Sequence, residues 1–410
     1  MKKTPNDWGG LYMLALSIGN NSSTQGLLTN VRKFVFRIYK RFTNFAKENI
    51  TNRYKLNLVT PTQHAATPKQ LGFTFPPEWH PHRATWLTFP HNEASWQGER
   101  LAKMRPQYLQ FIKAISQGEQ VGIVCNDQNL QAFITDELNQ LGVDLSRIEF
   151  VIKATNDAWC RDHGPAFLIN PLTKQKLVVN WGHNAWGGKY PPYDDDNRTP
   201  LAIAQYLNLP SVDPGIIMEG GSVEFNGAGS ILTSKSCLLN KNRNPELSQQ
   251  QIEQKLYDYY GAEQVLWVED GIVGDDTDGH IDDTTRFISE DTVVACVEYD
   301  QNDENYAVLQ SNLALLKKMR LLNGKPLNII EVPMPKAVVI DGFRTPGSYV
   351  NFLMCNAGVI VPVFDNPNDT LAVDILEKAM PDRKIIPLLA SEIIWGQGSF
   401  HCLSQQEPMV

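Results

Sequence analysis

A thiol, an imidazole and three carboxylates carry the side-chain types that could cleave a carbon–nitrogen bond: Cys402, His280, Glu219, Asp162 and Asp282. Cys402 closes the run Gly396-Gln397-Gly398-Ser399-Phe400-His401-Cys402. Glycines ahead of a cysteine let the backbone take positive φ and approach a ligand closely, which suits the presentation of a nucleophile. By itself, such a cysteine reads more readily as a buried structural thiol in a C-terminal strand, and what overturns that reading is the company found upstream. His401 beside it would point to the opposite face of an extended segment, so a base for Cys402 has to come from elsewhere.

Upstream, several segments place polar groups where a core would not take them. In Trp159-Cys160-Arg161-Asp162-His163-Gly164-Pro165 a Trp face next to a carboxylate makes a receptor for a planar cation, through stacking and paired N–H···O bonds; an Arg161–Asp162 surface pair is the plainer alternative. In Met218-Glu219-Gly220-Gly221, Glu219 ends an apolar strand at a double glycine, as a turn residue or as the group that holds and polarises an imidazole. In Gly274-Asp275-Asp276-Thr277-Asp278-Gly279-His280-Ile281-Asp282-Asp283, an extended backbone would put His280 and Asp282 on one face with Ile281 turned to the core. The segment lacks the glutamate that completes a calcium loop, and no second histidine stands at zinc-site spacing, so a cation receptor is the better account of its acidity. Asp276 either caps the turn before Gly279 or meets the cation. The stretch Asn351 to Phe364, with Cys355-Asn356-Ala357-Gly358 in its middle, reads as strand, turn and strand and is assigned structure only. Two carboxylates would hold a guanidinium by its nitrogens and leave its carbon open to sulfur attack. That chemistry is hydrolysis of a C–N bond in a guanidino compound.

The rest of the chain has to position these groups. With 410 residues, 42% of them hydrophobic and 20% charged, it has the composition of a soluble globular protein with a large core. A net charge of −8 argues against nucleic acid as a partner and suits a cationic substrate. The six cysteines are scattered without a CxxC pair, which favours reduced thiols in a cytoplasmic setting and argues against a cysteine zinc site. No run approaches the ~18 apolar residues of a spanning helix, so no stable membrane insertion is expected. Residues 1–70 read as an N-terminal extension. Leu11 to Leu16 is too short and too closely preceded by Asp7 and two glycines for a secretory signal. Val31, Val35, Ile38, Phe42 and Phe45 then recur at helical spacing beside a basic face, the pattern of a helix on an anionic membrane surface or, the plainer alternative, of a solvated appendage or partner-docking helix, and a Thr/Pro/Gln-rich linker follows over 58–70. From Leu71 onward, strand-like runs (84–89, 120–125, 148–152, 177–181, 215–225, 230–239, 265–268, 286–297, 327–332, 350–364 and 384–389) alternate with helical periodicity (101–117, 127–141, 248–260, 303–318 and 371–380). This is an α/β body, with no visible sequence repeat to say whether the strands form a sheet or a ring.

The segments WCRDHGP, EGGSVEFNG, CLLNKNRNP, GDDTDGHIDD, SYVNF and GSFHCLSQQ resemble, in this order, the signatures of agmatine deiminases and the related bacterial peptidylarginine deiminases of the pentein superfamily. The resemblance covers about residues 71–408. It implies a catalytic domain over 71–410 folded as a five-bladed α/β propeller of ββαβ units. It also implies that Cys402 becomes a covalent amidino-cysteine, that Asp162 and Asp282 grip the guanidinium, and that His280 acts as general acid and then base with Glu219 orienting it. Asp276 matches the position that meets the distal amine of agmatine, and Trp159 the one that flanks the substrate. The activity implied is conversion of agmatine to N-carbamoylputrescine and ammonia, on the route to putrescine, with no metal or organic cofactor; a homodimer stays open. Gln397, where the family usually shows glycine, and Cys160, where it usually shows a bulkier residue, depart from the pattern. The alternatives are a peptidylarginine or free-arginine deiminase, in which Arg344 would read a carboxylate, a non-catalytic binder of polyamines or cationic peptides, and a metal-dependent amidohydrolase.

Overall fold

A computed structural model describes residues 66–410; the basic amphipathic pattern of 31–46 and most of the expected linker lie outside the described residues. One supersecondary unit recurs through these residues: an antiparallel hairpin, a crossover helix, and a third strand parallel to the second. The first pairs Ala166–Asn170 with Gln175–Val179, crosses through the helix Thr199–Tyr206 and adds Ser211–Val212. The second joins Val223–Phe225, Ser230–Ser234, the helix Gln249–Tyr260 and Gln264–Val268. The third joins Thr285–Phe287, Thr292–Val297, the helix Tyr306–Lys318 and Asn328–Pro333. The fourth joins Leu353–Cys355, Gly358–Val363, the helix Asp369–Ala379 and Ile385–Leu389. The last is assembled from remote parts of the chain. Ser404–Pro408 pairs antiparallel with His82–Thr88, the helix Arg100–Ser116 crosses over, and Gln120–Cys125 and then Ile148–Ile152 extend the sheet in parallel.

Local chemistry accounts for these elements. A central strand with neighbours on both sides and a helix across its face is buried all round, hence the unbroken apolar runs Gly-Val-Ile-Val-Pro-Val at 358–363 and Thr-Val-Val-Ala-Cys-Val at 292–297. The helix Gln249–Tyr260 begins at a capping box between Ser248 and Gln251 and stops at Gly261, whose φ of 76° only glycine adopts freely. Leu101, Met104, Tyr108, Phe111, Ile112 and Ile115 turn one face of Arg100–Ser116 into the largest core cluster, which also contains Trp159 and Cys402. Among the described residues no helix is long and apolar enough to cross a membrane.

Several expected strands are shorter than the pattern suggests. The run 286–297 and the run 350–364 are each a tight hairpin, and 230–239 ends at Ser234 because Lys235–Leu238 turns helical. In 215–225 only Val223–Phe225 forms a strand, Ile217 making an isolated parallel bridge to Gly182 before Gly220–Ser222 makes a three-ten turn. The strand Ala166–Asn170 and the helix Thr199–Tyr206 carry too little periodicity to be read from sequence.

The candidate site residues share one place in this scheme. Asp162 precedes the first strand of one unit, Glu219 that of the next, Asp282 that of the third, Asn351 that of the fourth and Cys402 that of the closing unit. Residues far apart in sequence are thus carried on equivalent ends of equivalent strands.

Candidate active site

Cys402 lies in the turn that leads into Ser404–Pro408 and is 5% exposed. Its Sγ accepts from Asn351 Nδ2 at 3.1 Å and stands 3.7 Å from Asp282 Oδ2. Burial pushes the thiol well above its ordinary pKa, and the nearby Asp282, Asp283 and Asp162 carboxyls push in the same direction. The glycines ahead of it serve close approach rather than unusual dihedrals. A Cβ on Gly396 would sit 2.5 Å from Trp96 and 2.8 Å from Trp159, and one on Gly398 would sit 2.6 Å from Trp159 and 3.2 Å from Cys402 Sγ. The positive φ of 75° belongs to Gln397 between them, where a glycine would be free of strain.

Asp162, Asp282 and His280 meet around Gly221. A Cβ there would fall 2.6 Å from His280 Nδ1 and 3.0 Å from an oxygen of each aspartate, so only a bare backbone fits. Asp162 accepts from Gly221 N at 3.0 Å and from Trp186 Nε1 at 2.9 Å. Burial raises its pKa to about 6, only partly offset by His280. Asp282 is fully buried; its Oδ2 accepts from His401 Nδ1 at 2.6 Å, and its Oδ1 has no hydrogen-bond partner. Burial works to raise its pKa, but the His401 hydrogen bond and charge hold it below the usual value. Behind it, His401 Nε2 meets Glu78 Oε2 at 2.7 Å, and Arg286 donates to the same oxygen at 2.7 Å. His401 is therefore not at the thiol; it fixes the carboxylate beside it. The segment Ile281–Asp283 is a three-ten turn rather than the extended run expected, so His280 and Asp282 reach one site through the turn and not by strand alternation.

His280 is 1% exposed, and neither ring nitrogen has a hydrogen-bond partner; its Nδ1 stands 3.8 Å from Asp162 Oδ1. Burial opposes its charge, yet the Asp162 carboxylate, with Cys237 and Asp282 nearby, raises its pKa well above the ordinary value. Glu219 approaches it without a hydrogen bond. Its Oε1 accepts from Arg243 Nε at 2.6 Å and its Oε2 faces the Cys237 thiol at 3.9 Å, with the ligand-type atoms of Glu219, Cys237 and His280 within 4.8 Å of one another.

A cleft of about 620 Å³ opens onto this cluster. Trp159, Asp162 and Cys402 line it, and so does Asp276, half-buried, whose carboxylate accepts from the Tyr190 hydroxyl. Trp159 stacks on Trp96, ring centres 5.4 Å apart. Arg344 is bound to Asp303 at 2.9 Å and lies near Glu304, so it is engaged with carboxylates of its own chain.

Sequence reasoning missed Asn351, Trp186, Arg243, Glu78 and the role of His401. Asn351 sits in the stretch read as structure only, and there the structure corrects the expectation: the residue before the hairpin reaches the thiol. Trp186 followed by two glycines was a legible sign, being a large ring at a point of backbone freedom. Glu78, between Pro77 and Trp79, had none.

The family described as Porphyromonas-type peptidyl-arginine deiminase matches residues 74–408. The chain belongs to this family. It is 38% identical over 344 residues to a protein of Legionella pneumophila, covering 83% of this chain and 96% of that one. It is 34% identical over 370 residues to the agmatine deiminase of Stutzerimonas stutzeri, covering 85% and 98%. Among solved structures, the agmatine deiminase of Enterococcus faecalis superposes with a TM-score of 0.78 at 34% identity, over 84% of this chain and 98% of that one.

Proposed function

We propose that the protein hydrolyses the guanidino group of agmatine, giving N-carbamoylputrescine and ammonia through an amidino-cysteine intermediate. The observation that carries this reading is the convergence of Asp162, Asp282 and His280 on Gly221 with Cys402 beside Asp282. The names of the family's relatives supply the substrate. The five ββαβ units, each offering the residue ahead of its first strand, support a five-bladed α/β propeller with the site at its centre and a catalytic domain over 71–410, residues 1–70 being appended to it. Six unpaired cysteines fit a cytoplasmic setting.

In this mechanism the guanidinium docks with its nitrogens against Asp162 and the unpaired Oδ1 of Asp282, beside Trp159. The cation relieves the carboxylate field that keeps the Cys402 proton in place, that proton leaves to solvent as the substrate docks, and the thiolate attacks the guanidinium carbon. His280, held protonated, gives its proton to the departing nitrogen and ammonia leaves. Water then adds to the amidino carbon while neutral His280 takes one of its protons; the C–S bond breaks with its electron pair returning to sulfur, and the remaining hydroxyl proton leaves as the carbonyl forms and restores the Cys402 thiol. Glu219, itself held by Arg243, keeps negative charge near the imidazole in both halves.

The test is ammonia release with agmatine, free arginine and an arginyl peptide side by side; a preference for either arginine substrate overturns the assignment. The pH dependence is set by Asp162. Its pKa is raised to about 6, so it is neutral below that pH and cannot pair with a guanidinium. The expected kcat/KM for agmatine falls as pH drops through about 6, by about tenfold per unit; a profile flat down to pH 4.5 removes Asp162 from the binding role. For the far end of the substrate, Asp276→Asn is expected to raise the agmatine KM by about tenfold or more with a smaller change in kcat, since a charge pair with the distal ammonium is lost. If that variant loses thermal stability and keeps its KM, Asp276 is a turn residue only.

A further inference from the structure

Glu219, Cys237 and His280 come from three segments remote in sequence and meet next to Asp162. One ligand-type atom of each lies within 4.8 Å of the other two, and all three residues are buried. Their donor atoms are largely unclaimed. Glu219 gives Oε1 to Arg243 Nε and keeps Oε2, whose neighbour is the Cys237 thiol at 3.9 Å. Neither ring nitrogen of His280 has a hydrogen-bond partner, which is costly for a buried imidazole unless a ligand satisfies it. The other thiol–carboxylate cluster, Asp282, Asp283 and Cys402, differs in this respect: His401 takes Asp282 Oδ2, and Asn351 takes both Asp283 Oδ1 and the Cys402 sulfur. A thiol, an imidazole and a carboxylate are the donor set of a zinc-type ion, whose bonds of about 2.0–2.3 Å put tetrahedral donors about 3.3–3.8 Å apart. Side-chain rotation is enough to close the three donors to that spacing. The charges also match, because a thiolate and a carboxylate neutralise a divalent ion while Arg243 keeps a second carboxylate partner in Asp278. Asp162, 3.8 Å from His280 Nδ1, lines the open cleft, so one side chain separates the cluster from solvent.

We propose that Glu219 Oε2, Cys237 Sγ and a ring nitrogen of His280 bind a thiophilic divalent cation of the zinc type, and that the bound ion switches the enzyme off. The ion bonds to these three atoms with water in the fourth position, and the Cys237 thiol proton and the His280 imidazolium proton leave to solvent. No electron is transferred. The bound imidazole can no longer give up a proton and take one back in turn, and the added positive charge repels a guanidinium docking at Asp162. The ion is thus an inhibitor and not a cofactor. The site stands on geometry alone, whereas its inhibitory effect rests on His280 as the proton carrier and so on the deiminase reading.

The probes are Zn²⁺ for turnover and Co²⁺ for spectroscopy, each added to the full chain. Zn²⁺ should inhibit agmatine hydrolysis by the wild type, with activity returning on chelation, and Co²⁺ should give a thiolate-to-metal charge-transfer band. Cys402→Ser, which does not turn over, should keep that band. Cys237→Ala should lose it. The Zn²⁺ concentration for half inhibition of Cys237→Ala, taken against the variant's own rate, should rise by at least about a hundredfold, since losing a ligand costs more than the tenfold to hundredfold of losing a residue that merely supports one. Cys237→Ser, close in size to the thiol, serves if the alanine variant does not fold. A wild type without the band, a band that survives in folded Cys237→Ala, or one that vanishes in Cys402→Ser overturns the proposal, the last two by moving the ion to the nucleophile. A Cys237-dependent band with undiminished turnover fails differently: the inhibitory effect falls, and His280 loses its place as the proton carrier with it.

Discussion

Cys402→Ser is expected to bring ammonia release from agmatine below detection while agmatine still binds. Oxygen replaces sulfur in a pocket where the thiol itself is already pushed well above its ordinary pKa by burial and by Asp282, Asp283 and Asp162. A serine hydroxyl is a far weaker acid than a thiol, so its alkoxide is out of reach at any pH the fold survives. Removing the nucleophile of a well-studied triad hydrolase costs on the order of 10⁶ in kcat, and a loss of that scale is the expectation here. Calorimetric titration with agmatine should still give a binding isotherm, because Asp162, Asp282 and Asp276 are untouched. In the wild type, acid quench during turnover followed by peptide mass analysis should locate an amidino adduct on Cys402. An adduct on Cys160 or Cys355 instead would sink the assignment.

His280→Ala should remove activity at every pH, whereas Glu219→Gln should leave a weakened enzyme with an altered pH profile. His280 is the imidazole within reach of both aspartates around Gly221, and its ring nitrogens have no structural partner to satisfy. A group positioned this way, with its pKa raised so that it is charged near neutrality, can give a proton to the leaving nitrogen and later take one from water. Glu219 acts at a distance, and its own hydrogen bond goes to Arg243 with both side chains fully buried. Glu219→Gln therefore removes one of the two carboxylates that hold the buried Arg243 guanidinium, and with Asp278 still paired to it the stability loss should stay below the about 3–5 kcal/mol of a fully broken buried pair. The two variants thus differ in kind: the first should melt near the wild-type temperature without turning over, the second should melt earlier and turn over slowly. Near-normal turnover in His280→Ala ends the mechanism.

The chemistry was more legible than the architecture. Glu219 could be picked out because it ends an apolar strand at a double glycine, and Asp162, His280 and Asp282 because they stand in short charged runs that a core would not take. The rule used to join His280 to Asp282, alternation along an extended segment, does not hold in the three-ten turn Ile281–Asp283, although both residues do reach one site. The strands Gln120–Cys125 and Ile148–Ile152 follow the apolar runs residue for residue. Ser404–Pro408, by contrast, reads Ser-Gln-Gln-Glu-Pro and is buried throughout. No hydropathy pattern marks such a strand, because its polar side chains are satisfied by partners remote in sequence: Gln406 by Arg161, and Glu407 by Arg83, Lys176 and Trp86. The recurring unit was hidden for a related reason. Its copies share hydrogen-bond topology and the position of the site residue, while the residues themselves differ according to the task each performs. Asn351 was passed over because an asparagine before a hairpin has an ordinary explanation as a turn residue.

The sheet formed by Ser404–Pro408 and His82–Thr88 joins residues remote in sequence, Trp86 bonding Glu407 across 321 positions. During synthesis, the strand that Ser404–Pro408 will cover is made well before its partner and waits with an open edge, the kind of surface on which other chains pair and aggregate. Closing so long a loop is slow but costs little more free energy than closing one half its length. The nucleophile lies two residues ahead of that final strand, so a nascent chain gains its reactive sulfur and seals its exposed edge in a single late event. Partly made copies should therefore be both catalytically silent and dependent on holding chaperones, and activity should rise only as residues 404–408 leave the ribosome.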